Sequence, residues 1–222
     1  MTTMYESEVT CALCGTVSKH ATITSTNMLT SPDLDTRPGI MMRNTISTWV
    51  QECPQCGYCS ENLSEGSKIE KQWLSLLYYR DQLLDRDYPE LANRFLCSST
   101  LLELSTSYVD AAWRAIHAAW ACDDENRTEA ARKCRMKAIS LISIAGGYKQ
   151  HLSDEAEDTD LIKIDLLRRC GEFEMAKQIA DKLAGELSVE VKKAVTTFQS
   201  HLAGKKDDRC HTIEDAEQFY SS

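Results

Sequence analysis

Cys11-Ala-Leu-Cys14-Gly15 and Cys53-Pro-Gln-Cys56-Gly57 are the two stretches whose reading decides the fold. Each is a Cys-x-x-Cys-Gly knuckle, a tight turn that aims two thiolates at one centre and leaves backbone N–H groups to donate to the sulfurs. Glycine after the second cysteine permits a positive φ that other residues resist. Together the knuckles supply Cys11, Cys14, Cys53 and Cys56, a four-thiolate set that fills one tetrahedral zinc site. Such a site keeps no open position for water, so it is structural rather than catalytic. One structural Zn2+ is therefore expected.

Residues 15–52 separate the knuckles, more than a compact zinc ribbon uses. The interval has room for two strands and a long insertion. Thr22-Ile-Thr-Ser-Thr26 and Thr45-Ile-Ser-Thr-Trp-Val50 are rich in β-branched residues and read as short strands. Between them, Ser31-Pro-Asp-Leu-Asp-Thr-Arg-Pro-Gly39 is a cluster of turn formers. This half has few large apolar residues, and a small domain of that kind needs a metal or disulfides to fold. Asp33, Asp35, Arg37 and Arg43 form a charged group in the insertion. They read either as Asp–Arg pairs that hold the loop or as a candidate recognition surface, since binding residues concentrate in loops.

From about residue 66 the period becomes helical. Apolar residues recur at three- and four-residue steps over Ile69–Leu84, Tyr108–Trp120, Ala131–Ala145, Phe173–Leu187 and Val191–Leu202. Residues 123–126, Gly146-Gly147, Gly171 and 184–188 separate these runs, with Ser188 a candidate N-cap. About seven helices with short connections favour antiparallel neighbours. The acidic run Asp154-Glu-Ala-Glu-Asp-Thr-Asp160 suits a solvated loop and the start of a helix. The expected fold class is α+β, mostly α: a β zinc ribbon with a long insertion over residues 1–63, then an antiparallel helical domain over 64–222.

Ten cysteines in 222 residues are too few for a secreted disulfide scaffold. The start of the chain has no basic, then apolar, signal segment, and no apolar run is long enough to span a membrane. A cytoplasmic setting is expected, where paired cysteines point to metal or redox chemistry. Cys59 extends the second knuckle to Cys-x-x-Cys-x-x-Cys, but Ser60-Glu-Asn-Leu63 offers no fourth cysteine for an iron–sulfur cluster, which leaves Cys59 a spare thiol. Cys97, Cys122, Cys134, Cys170 and Cys210 are scattered, and packing is their default role. His117, between Trp113 and Trp120, reads as a packed or hydrogen-bonded histidine rather than a ligand.

The net charge is −9. Residues 1–65 carry three basic residues (Lys19, Arg37, Arg43) against seven acidic ones, a net −4, and the remainder carries −5. Neither half has the basic footprint of a nucleic-acid binder. No phosphate-cradling glycine loop, His-Glu-x-x-His helix or nucleophile elbow occurs.

The run Ser31-Pro-Asp-Leu-Asp-Thr-Arg-Pro38, followed by Arg43, Trp49-Val-Gln51 and Cys53-Pro-Gln-Cys56-Gly-Tyr58, resembles the bacterial domain of unknown function 2225 family. His117-Ala-Ala-Trp-Ala121 is similar to a helix in the C-terminal part of that family. The resemblance implies a split zinc ribbon followed by helices and metal binding, with no assigned reaction. Asp165-Leu-Leu-Arg-Arg-Cys-Gly171-Glu-Phe173-Glu-Met-Ala176 resembles half of a tetratricopeptide repeat, although no strict repeat period is visible. Stacked helix pairs of that kind bind a protein or peptide partner. The leading expectation is a non-enzymatic zinc-binding adaptor or regulator. A nucleic-acid-binding zinc-ribbon regulator and a thiol-dependent or other enzyme are the alternatives.

Overall fold

A computed structural model describes residues 2–222. The chain is mostly helical, 54% of its residues, after a small N-terminal antiparallel sheet. Each cysteine knuckle is the turn of a β-hairpin. Strand β1 (Thr3–Thr10) pairs with β2 (Val17–Ser25), and Thr10 opposite Val17 closes the ladder around the first knuckle. Strand β3 (Gln51–Glu52) pairs with β4 (Cys59–Ser60) around the second.

The strand expected over 45–50 is instead a 3-10 helix, Arg43–Thr48. Local hydroxyls explain the difference. Thr45 Oγ1 donates to the Met42 carbonyl at 2.7 Å, Thr48 Oγ1 donates to the Thr45 carbonyl at 2.8 Å, and Trp49 Nε1 donates to Thr45 Oγ1 at 2.9 Å. Side-chain bonds of this type offer the backbone an alternative to a ladder.

Contacts group the residues into two compact units. The first comprises the described residues up to Asn27 and Met41–Ala145. The second comprises Met28–Ile40 and Gly146–Ser222. Each unit draws on residues from before and after position 63.

In the first unit a 3-10 helix (Lys71–Ser75) and α1 (Leu77–Leu83) precede three longer helices. These are α2 (Glu90–Leu104), α3 (Tyr108–Asp124) and α4 (Thr128–Gly147). Ala111, Ala112, Ala115, Ala118 and Ala119 are all fully buried, and such small side chains let α3 approach α2 closely. Ser99 Oγ of α2 donates to the Ala111 carbonyl at 2.8 Å. Phe95, Leu101, Ile116 and Trp120 fill the core beside them. Periodicity missed α2 because polar Asn93, Ser98 and Ser99 lie among its buried positions.

The second unit contains α5 (Ala156–Arg169), α6 (Phe173–Ala184), α7 (Glu190–Gly204) and α8 (Ile213–Tyr220). Helix α5 begins inside the acidic run, with Glu157 and Asp158 in its first turn. Gly171, at φ 81°, turns the chain from α5 into α6. The N-cap of α7 is Val189 rather than Ser188, and it makes no side-chain cap. Helix α8 has the capping box instead: Thr212 Oγ1 accepts from Asp215 N at 3.1 Å, and the Asp215 carboxylate accepts from Thr212 N at 2.8 Å. Residues 28–40 pack into this unit. Leu34 N donates to the His211 carbonyl at 3.0 Å, and Ile213 N donates to the Pro32 carbonyl at 2.9 Å.

Candidate metal centre

The two hairpins bring Cys11, Cys14, Cys53 and Cys56 together, with all four sulfurs within 4.8 Å of one another. Cys11 Sγ lies 3.8 Å from Cys56 Sγ, and Cys14 Sγ lies 3.5 Å from Cys53 Sγ. A tetrahedron with Zn–S near ~2.3 Å has edges of about 3.8 Å, so the sulfurs match the shell of one four-coordinate ion. Among the described residues this is the one group of three or more Cys, His, Asp or Glu ligand atoms gathered this closely. Zinc is compatible with it.

The knuckle backbones explain the placement. Gly15 N donates to the Cys11 carbonyl at 2.8 Å and Gly57 N to the Cys53 carbonyl at 2.9 Å. Cys11 N donates to the Thr16 carbonyl at 2.9 Å and Cys53 N to the Tyr58 carbonyl at 2.8 Å. Gly15 and Gly57 sit at φ 77° and 72°, where a Cβ is strained. The first knuckle is tied down by Ala12 N, which donates to the Leu63 carbonyl at 2.8 Å. Cys11 and Cys53 are buried, and Cys14 and Cys56 are partly open.

The sulfurs differ in acidity. Thr16, through its side chain and then its backbone, holds the Cys14 thiol down at about 6. Burial pushes the Cys11 and Cys56 thiols up. A metal must displace those protons, so uptake strengthens as pH rises. Four thiolates around a dication leave a charge of about −2. Arg80 lies beside them, its Nη1 donating to the Cys56 carbonyl at 3.4 Å.

Cys59 stands outside the cluster. It is buried, and its thiol is pushed well up, first by burial and then by Cys97. Tyr79 Oη donates to the Gly57 carbonyl at 2.7 Å and accepts from Cys59 N at 3.3 Å, so it locks the second knuckle to α1. Thr16, Tyr79 and Arg80 carry no sequence signal, because their roles arise from the fold of the hairpins and α1.

Asp33, Asp35 and Arg37 are gathered in the second unit and are all buried. Arg37 N donates to Asp35 Oδ1 at 3.2 Å, and Arg169 Nη1 lies 3.6 Å from Asp35 Oδ2. Arg43 is not among them: it opens the 3-10 helix of the first unit. His20 also lies outside the sulfur cluster, its Nε2 paired with Ser18 Oγ at 2.8 Å.

No family model, curated protein or solved structure matches the chain. Among the described residues, no helix is long and apolar enough to cross a membrane.

Proposed function

We propose that this chain is a cytoplasmic zinc protein of adaptor or regulatory type, akin to the domain of unknown function 2225 family. In this reading one Zn2+ is held by Cys11, Cys14, Cys53 and Cys56 and folds the ribbon, while α5–α8 form a tetratricopeptide-like surface for a protein or peptide. The four converging sulfurs carry the reading. A four-thiolate shell leaves no coordination position for a substrate, which favours a structural ion. Exposed Met175, Val189 and Val191 give the helical part apolar surface for a partner. The net charge of −9 speaks against a nucleic-acid partner.

Affinity capture of the full chain from its native cells, with metal analysis of the same sample, tests both parts. One zinc per chain and one recurrent protein partner are expected. Co-purified RNA or DNA would overturn the adaptor reading. A reactive, low-pKa thiol that persists with metal bound would favour an enzyme.

A further inference from the structure

The first hairpin has one open edge. Strand β2 packs against the 3-10 helix Arg43–Thr48, whereas the substantial neighbour of β1 is β2 itself. Cys11 N donates to the Thr16 carbonyl, and from there the bonds of an antiparallel ladder alternate. Val9, Ser7 and Tyr5 therefore bond across to Ser18, His20 and Thr22, and the backbone N–H and C=O groups of Glu8 and Glu6 point away from β2. Among the described residues nothing else bonds to those groups. An unpaired edge of this kind is a template for a further strand.

The side chains along the edge decide which strand fits. Met4, Glu6 and Glu8 lie on one face of the hairpin, and all three are exposed. Glu8 faces Lys19 across the ladder, whereas Glu6 faces Ala21 and Met4 faces Ile23. The antiparallel registers that pair most of β1 with β1 of a second copy set Glu6 opposite Glu6, or Glu6 opposite Glu8. Like charges directly opposite are destabilising, and opposite charges there are stabilising. The edge thus repels its own copy and attracts a basic strand.

We propose that the outer edge of β1 receives an extended segment of another protein as a third, antiparallel strand, with basic residues opposite Glu6 and Glu8 and an apolar residue opposite Met4. Main-chain bonds to Glu6 and Glu8 supply the affinity, and the alternate side chains supply the selectivity. This edge belongs to the first unit and is separate from the α5–α8 surface proposed above.

The probe is the peptide acetyl-Thr-Lys-Val-Lys-Thr-Ile-Thr-amide, whose lysines fall opposite Glu8 and Glu6 and whose isoleucine falls opposite Met4. Calorimetry on the full chain is expected to show saturable binding with a dissociation constant of about 100 μM or tighter. Amide exchange read by NMR is expected to slow at the Glu6 and Glu8 N–H groups when peptide is bound. The same peptide with glutamate in place of both lysines is expected to bind at least about tenfold more weakly. Glu6→Gln combined with Glu8→Gln, a change of exposed side chains only, is expected to weaken the lysine peptide about three- to tenfold. Methylation of the backbone nitrogen of the central lysine removes the donor that faces Glu6, and is expected to abolish binding to the wild-type chain. The proposal is overturned if the lysine peptide fails to saturate, if exchange at Glu6 and Glu8 is unchanged, or if the glutamate or N-methyl peptide binds equally well.

Discussion

At the residue scale, the two knuckle glycines separate backbone strain from steric room. Both sit at positive φ. A Cβ at Gly15 meets nothing within 4 Å, whereas one at Gly57 falls 2.8 Å from Leu83 Cδ2 and 3.1 Å from Arg80 Nη1. Gly15→Ala is therefore expected to lose only the left-handed penalty, about 1–2 kcal/mol. Gly57→Ala must also push aside the mobile ends of the Leu83 and Arg80 side chains, which adds a cost at the low end of overpacking, about 1 kcal/mol. Denaturant unfolding at a fixed free zinc concentration checks the order, and equal losses would contradict it. His117 gives a second test. Its imidazole is held at about 3 against an ordinary 6.5. Below pH 6.5 the unfolded chain binds the proton before the folded one does, so stability falls as pH falls toward 3, by up to ~1.4 kcal/mol per pH unit. His117→Phe is expected to remove that share of the acid sensitivity, read as the wild-type minus variant difference in unfolding free energy at pH 7 and pH 5. A difference that does not change with pH would refute it.

At the element scale, the second unit depends on a buried charge on α5. Arg168 is fully buried. Its Nη2 donates to Asp165 Oδ1 at 2.6 Å, and its Nη1 donates to the carbonyls of Asp207 and Arg209 at 2.6 and 2.8 Å. One side chain thus joins α5 to the segment between α7 and α8. Arg168→Ala strands the buried Asp165 carboxylate and two carbonyls, and a loss of about 3–5 kcal/mol is expected. Arg209→Ala, which removes a fully exposed guanidinium from its pair with Asp207, is expected to cost far less. Thermal unfolding of the two variants side by side checks this, and similar shifts would contradict it. Legibility in the sequence follows the same division. Four of the apolar periods correspond to α3, α4, α6 and α7, each of which buries one face, whereas the Ile69–Leu84 period spans a 3-10 helix and α1 and leaves Leu77 and Leu84 exposed while Leu74 and Tyr79 are buried. The clustering of Cys11, Cys14, Cys53 and Cys56 was readable from spacing alone. Helix α2, with its buried polar residues, and the short α8 have no such stripe. Strand β1, Met-Tyr-Glu-Ser-Glu-Val over residues 4–9, has mostly exposed side chains, so no hydrophobic alternation marks it. The charged insertion was legible as a specified loop, but its site of attachment beside α8 is a long-range fact that spacing does not contain.

At the scale of the whole molecule, the central proposal is that four sulfurs drawn from two hairpins, with 38 residues between Cys14 and Cys53, hold one structural zinc on which both hairpins depend. Strand pairs β1–β2 and β3–β4 have little apolar core of their own, and Met4, Tyr5 and Val17 are exposed. A two-stranded hairpin is marginal in water without further support. Structural zinc supplies an apparent ~10–16 kcal/mol in small zinc-finger peptides, ample to fold such a region. The most direct measurement is native mass spectrometry of the full chain and its Cys53→Ser variant, with amide hydrogen exchange read before and after chelation. One zinc per wild-type chain, none in the variant, and loss of protection at residues 3–25 and 51–60 on chelation are expected. A wild-type chain that carries no zinc, or that keeps full protection in both hairpins after the metal is removed, would contradict it.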